Sequence, residues 1–125
     1  MTAVILVVDD NAANLKLARE ILTARGHDVI SAVRGEEAVD VARARRPALI
    51  LLDMRLPDID GLEVLRRLRS SPETKDLPIV AMTAQAMTGD RERFLAAGCD
   101  GYISKPISLR ALYAEVERHL AGRSA

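Results

Sequence analysis

Aromatic side chains are almost missing from this chain, which has two Tyr, one Phe and no Trp in 125 residues. Their scarcity leaves the core to Leu, Ile, Val and Ala, and it argues against a pocket of stacked rings such as one that sandwiches a flavin. Cysteine is equally scarce. The single Cys99 can form no internal disulfide and, beside Gly98, reads as a small buried hydrophobe. Net charge is lacking as well: 18 basic residues balance 18 acidic ones, so no footprint for nucleic acid or an anionic bilayer stands out. No apolar run is long enough to span a bilayer, and the start, MTAVILVVDDN, has neither the basic region nor the cleavage site of a secretory signal. A cytoplasmic protein without direct nucleic-acid or membrane contact is the expectation. Linkers, low-complexity tracts and internal repeats are also absent, and the length suits a single domain over residues 1–125.

What the chain does have is a strict alternation of two patterns. Short apolar runs at Ala3 to Val8, Asp28 to Ala32, Leu49 to Leu52, Ile79 to Met82 and Gly101 to Ser104 read as strands. Between and after them, apolar residues at helical spacing predict helices from Asn14 to about Ala24, from Glu36, just after Gly35, to the basic end Arg43, Arg45 and Arg46, from Gly61 to Ser70, from Thr88 to Ala97, and from Leu109 to Leu120. Gly26 and Gly98 are placed to end the first and fourth helices. The arginines of the second and third helices read as solvated faces. Alternating strands and helices mean a doubly wound α/β fold with a parallel sheet. Five of each fit the flavodoxin-like strand order 2-1-3-4-5, whose switch point lies between strands one and three.

The strand ends carry the chemistry. Strand one stops at Asp9 and Asp10, strand three at Asp53, strand four at Thr83, and strand five at Lys105. Ligands in open α/β sheets bind at these carboxyl ends. Three crowded carboxylates repel one another unless a cation holds them, and magnesium, which takes few protein oxygens and bridges to phosphate, suits the set. Lys105 adds a second positive charge and Thr83 a hydroxyl. Together they match the needs of phosphoryl transfer, leaving one Asp to act as nucleophile. Asp9 or Asp10 also suits a helix N-cap, but capping leaves Asp53, Thr83 and Lys105 unexplained. Asp58 and Asp60 read as turn and cap residues before Gly61. A calcium loop starting there would need acids at Leu56 and Arg67, and His27 and His119 have no partner at metal-ligand spacing.

The acidic pair Asp9 and Asp10, the stretch DMRLPDIDG, Thr83 with Ala84, and YISKP at Tyr102 to Pro106 resemble the marks of a response-regulator receiver domain. The resemblance runs over the whole length. It implies that Asp53 accepts a phosphoryl group from a histidine kinase or histidine phosphotransfer protein, with Mg2+ as cofactor. It assigns Asp10 and Asp53 as direct magnesium ligands, with Asp9 acting through water and the backbone carbonyl of Arg55 completing the protein ligands. Lys105 would pair with the phosphoryl oxygen, Thr83 and Tyr102 would form the switch, and the Lys105 to Pro106 bond would be cis. Gln85, with Arg55, would tune the lifetime of the phosphorylated state. Arg55 replaces a residue that is commonly Met, leaving two roles open: shielding the phosphoryl group, or pairing with the acids when metal is absent.

With no effector domain expected in a chain of this length, output would pass through protein contacts of the fourth helix, fifth strand and fifth helix. The expected protein is a signalling switch in a two-component phosphorelay and not a turnover enzyme. An Asp-nucleophile phosphatase is the main rival, but its general acid would be a second Asp where Arg55 stands. An interaction domain that is never phosphorylated is the other, and the five residues at the strand ends argue against it.

Overall fold

In a computed structural model, residues 3–83 and 89–121 are described. The elements follow the expected order: β1 (Val4–Val8), α1 (Ala12–Thr23), β2 (Asp28–Ala32), α2 (Gly35–Arg45), β3 (Leu49–Asp53), α3 (Gly61–Arg69), β4 (Ile79–Thr83), α4 (Asp90–Ala97), β5 (Gly101–Ser104) and α5 (Leu109–Ala121). All strand pairs are parallel, in the order β2-β1-β3-β4-β5.

Alternation along the strands divides the core in two. Leu6, Val8, Ile50, Leu52, Ile79 and Ala81 face one side, where Ala38, Val39 and Ala42 of α2, Val64, Leu65 and Leu68 of α3 and Phe94 of α4 cover them. Ile5, Val7, Leu49, Leu51, Val80 and Met82 face the other, under Ala18, Ile21 and Leu22 of α1 and Leu112, Val116 and Leu120 of α5. β3 and β4 are buried at every position, which is why their sequences are continuously apolar and do not alternate. Burying each Leu or Ile fully is worth roughly 1.5–3 kcal/mol against leaving it in water.

The helix ends show where local chemistry decides. α1 starts two residues before Asn14, because Asn11 caps it, its side-chain oxygen accepting from Asn14 N–H at 3.0 Å. Neither Asp9 nor Asp10 is therefore the cap. Ala24 holds the C-cap position of α1, with Gly26 beyond it at φ 85°. Asp60 caps α3 through Glu63 N–H at 2.9 Å, as its place before Gly61 suggests. Gly98 ends α4 at φ 121°. The expected start of that helix at Thr88 lies outside the described residues, as do Ala84 and Gln85.

The reading of the α3 arginines as a solvated face holds for Arg66 and needs correcting at Arg69. Arg66 and Arg67 both pair with Glu63, at 2.6 and 2.8 Å, and hold its carboxyl down to about 2. Arg69 turns inward at the end of α3. Its guanidinium donates to the Gly98 carbonyl from Nε and Nη2 (3.1 and 2.8 Å), to Lys75 and Leu77 carbonyls from Nη1 (2.9 and 2.7 Å), and to Asp100 Oδ2 at 2.8 Å. The same Asp100 oxygen accepts from Ile79 N–H at 2.9 Å, so one side chain joins α3, the connection into β4, and the end of α4.

Candidate functional site

β1 and β3 are neighbours in the middle of the sheet, and the chain leaving them crosses to opposite faces. That divergence opens a crevice at their carboxyl ends. Register puts Val8 beside Leu52, so Asp9, the next residue after β1, comes level with Asp53, the last residue of β3. Asp53 is paired with Met82 and Thr83 with Ser104, which brings the ends of β4 and β5 to the same rim. The backbone N–H of Lys105 donates to the Thr83 carbonyl at 2.8 Å and extends that ladder one residue further. The Lys105–Pro106 bond is cis, as the resemblance implies.

The side chains then meet. Lys105 Nζ donates to Asp9 Oδ2 at 2.6 Å and to Asp53 Oδ2 at 3.1 Å, bridging two carboxylates that are 1% and 5% exposed as residues. Asp9 Oδ1 accepts from Asn11 N–H and Asp53 Oδ1 from Arg55 N–H, both at 2.9 Å. Burial pushes the Asp53 carboxyl above its ordinary value, against the Arg55 amide and the Lys105 ammonium, which pull it down. Burial pulls Lys105 down, but its two ion pairs outweigh that and its ammonium is held. Asp10 is exposed and completes the acidic group: one carboxylate oxygen from each of Asp9, Asp10 and Asp53 lies within 4.8 Å of the others. An all-oxygen donor set at this spacing, open to solvent on the Asp10 side, fits a hard divalent cation, and each carboxylate oxygen already used still has a lone pair to offer. His27 and His119 take no part in this group.

Thr83 is buried at the end of β4, 4% exposed. Tyr102, half-buried on β5, stacks on Phe94 of α4 with ring centroids 6.2 Å apart and an interplanar angle of 28°. Its backbone N–H donates outward to Glu115 Oε1 of α5 at 3.2 Å, and the same carboxylate oxygen lies 2.6 Å from where a Cβ on Gly101 would be. Arg55 is exposed and borders a cavity of about 290 Å³ that Thr83, Asp60, Arg93 and Phe94 also line. Gly61 is required by close approach. A Cβ there would lie 2.5 Å from Met54 Cα, and its N–H donates to the Met54 carbonyl at 3.0 Å. Cys99 is buried, and desolvation pushes its thiol up to about 11, in keeping with a packing role.

One contact around the site has no signal in the sequence. Asp58, expected only to shape a turn, accepts two hydrogen bonds from the first turn of α2, and the Glu36 amide above all holds its carboxyl down to about 2. Nothing local links residue 58 to residues 35 and 36, so only the fold reveals the pair.

Comparison with known proteins agrees with this geometry. Residues 5–117 match the response regulator receiver domain family. The polar-differentiation response regulator DivK of Brucella ovis is 42% identical over 120 residues, covering 96% of this chain and 98% of that protein. Among solved structures, the receiver domain of the sensor histidine kinase PA1611 from Pseudomonas aeruginosa PAO1, with a magnesium ion coordinated in its active-site cleft, superposes with a TM-score of 0.89 at 35% identity, covering 97% of this chain and 99% of that one. The chemotaxis response regulator CheY4 of Vibrio cholerae gives a TM-score of 0.88 at 26% identity, over 95% of this chain and 99% of that one. With a match this long, and acidic strand ends facing a lysine where the topology predicts them, the chain belongs to the response regulator receiver domain family.

Proposed function

We propose that this protein accepts a phosphoryl group on Asp53 from a phosphohistidine of a histidine kinase or histidine phosphotransfer protein, in a reaction that needs Mg2+. The observation that carries the reading is Lys105 bridging Asp9 and Asp53 in a buried crevice. An Asp53 carboxylate oxygen attacks phosphorus as the P–N bond to the donor imidazole breaks, and the imidazole nitrogen keeps the electron pair. Lys105, released from Asp53 Oδ2, pairs with an oxygen of the incoming group. Thr83 offers its hydroxyl to another. Asp10, Asp53 and the Arg55 carbonyl would hold the magnesium ion, with Asp9 acting through water. When bound, the ion neutralises charge on the phosphoryl oxygens. Its presence in the Pseudomonas receiver domain supports the same use here.

Output follows from what touches Thr83. Movement of its hydroxyl toward the phosphoryl group frees space behind it, and the Tyr102 ring shifts against Phe94, changing the face made by α4, β5 and α5 that downstream proteins bind. Intact protein incubated with a small phosphodonor should gain the mass of one phosphate with magnesium and none without it. Failure to gain it with magnesium present would overturn the proposal.

Metal should also register as stability. Lys105 relieves two of the three acids, but Asp10 still adds like charge to the group. Magnesium at a hundred times its half-saturating concentration should add about 2.7 kcal/mol, seen as a higher melting temperature. Asp10→Asn should raise the metal-free melting temperature slightly, by an amount worth less than about 1 kcal/mol at so exposed a site, and should abolish most of the magnesium response.

A further inference from the structure

The loop that leaves Asp53 is fastened at its far end to a helix of a different crossover. Asp58 Oδ1 accepts from Gly35 N–H at 2.7 Å and Oδ2 from Glu36 N–H at 3.0 Å. These are first-turn amides of α2, which the helix cannot satisfy itself. Arg34, at the N-cap position, makes no side-chain bond to them. The cap of α2 therefore comes from 23 residues downstream. Packing reinforces the junction. Gly35 is buried, and a Cβ there would run into Ile59 Cγ1 and lie 2.8 Å from Val64 Cγ2, so any side chain would force Ile59 and Val64 to move.

At its near end the same loop is tied to the site. Arg55 N–H donates to Asp53 Oδ1, and Gly61 N–H closes the loop onto the Met54 carbonyl. Between the Arg55 amide and the Asp58 clamp stand only Leu56 and Pro57. A backbone carbonyl serves a metal only where its peptide plane is held, and each anchor lost from the segment leaves that plane freer to turn.

We infer that Asp58 is a positioning residue for phosphoryl acceptance: by clamping residues 55–60 to the N-terminus of α2, it holds the Arg55 carbonyl in place beside Asp53. The inference rests on the proposed function, which makes that carbonyl a ligand. It places a determinant of metal affinity on a side chain that touches neither metal nor phosphoryl group.

The test uses the intact chain and two variants, Asp58→Ala and Asp58→Asn. Calorimetric titration with MgCl2 alone gives half-saturation, and mass spectrometry gives the rate of phosphate gain from a small phosphodonor at saturating magnesium. Both are read at a temperature where circular dichroism shows every chain folded. Asp58→Ala should raise half-saturation about tenfold, the lower end of what loss of an outer support costs a metal site, and should slow phosphate gain. Asp58→Asn, which keeps one oxygen acceptor, should fall between, and it carries the test if the alanine variant does not fold. A purely structural cap would lower the melting temperature while leaving half-saturation and rate as in the parent, and that result would overturn the inference. If the unaltered chain gains no phosphate at all, the proposed function falls and the inference with it.

Discussion

Asp53→Asn should gain no phosphate under conditions in which the unaltered chain is fully modified. The amide oxygen carries no full charge and is a poor nucleophile, and the ammonium of Lys105 loses one of its two carboxylates. Asp9 and Asp10 are near enough to accept stray phosphoryl groups, so the expected outcome is a rate lower by at least about 100-fold, equivalent to about 2.7 kcal/mol of barrier. Unfolding does not account for such a loss. Burial raises the Asp53 carboxyl above its ordinary value, so its ionised form costs stability as pH climbs through that value, and the neutral amide removes the cost. The metal-free melting temperature of the variant should stay near that of the parent. Intact mass and thermal melting together check both halves, and equal phosphate gain by the variant would remove Asp53 from the role.

Arg69→Ala should cost as much stability as many core truncations although the side chain is polar. It deletes five hydrogen bonds, leaves the Leu77 and Gly98 carbonyls to water or to nothing, and exposes Asp100 without its cation. Bonds to a charged group are worth roughly 1.5–3 kcal/mol each, but they share one side chain and solvent reaches part of it. A total near 3 kcal/mol is therefore expected, or about a 10 °C fall in melting temperature for a domain of this size. Arg69→Lys should recover less than half, because an ammonium cannot present the fork that reaches three carbonyls and a carboxylate. A fall of under 2 °C would show that the guanidinium only decorates the surface. Phosphate gain at low temperature should be little affected, since these contacts lie at the opposite end of α3 from Asp53.

Which parts of this protein could be read from its sequence follows from the range of the forces involved. Strand ends were legible because an apolar run stopped by an acid is a local pattern, and topology alone then carries Asp9, Asp53, Thr83 and Lys105 to one rim. The direct pairing of Lys105 with Asp9 and Asp53 was not legible: the sequence suggested a lysine for the phosphoryl group, whereas in the folded chain it also stands in for a cation between the acids. Arg69 and Asp58 do more than the solvated face and the turn that their sequence positions suggest, for a shared reason. Each acts through partners 22 or more residues away, or through backbone carbonyls that carry no sequence signature, and in the sequence each looks like a polar residue at a helix end or turn. The first turn of α1 lies two residues ahead of the apolar pattern that begins at Asn14, because its cap is set by Asn11, a polar residue outside that pattern.

The carboxylate of Glu115 against the Tyr102 amide closes part of the free edge of the sheet. β5 is an outer strand, and an outer strand with open amides invites another chain to add itself to the sheet. Here one of those amides is already taken, α5 lies over it, and only four residues remain to template a newcomer. Sheet extension through this edge would first have to evict Glu115. Under the proposed function, partners arriving at this face would recognise side chains on the two helices rather than borrow backbone, and their fit would then answer to the position of the Tyr102 ring.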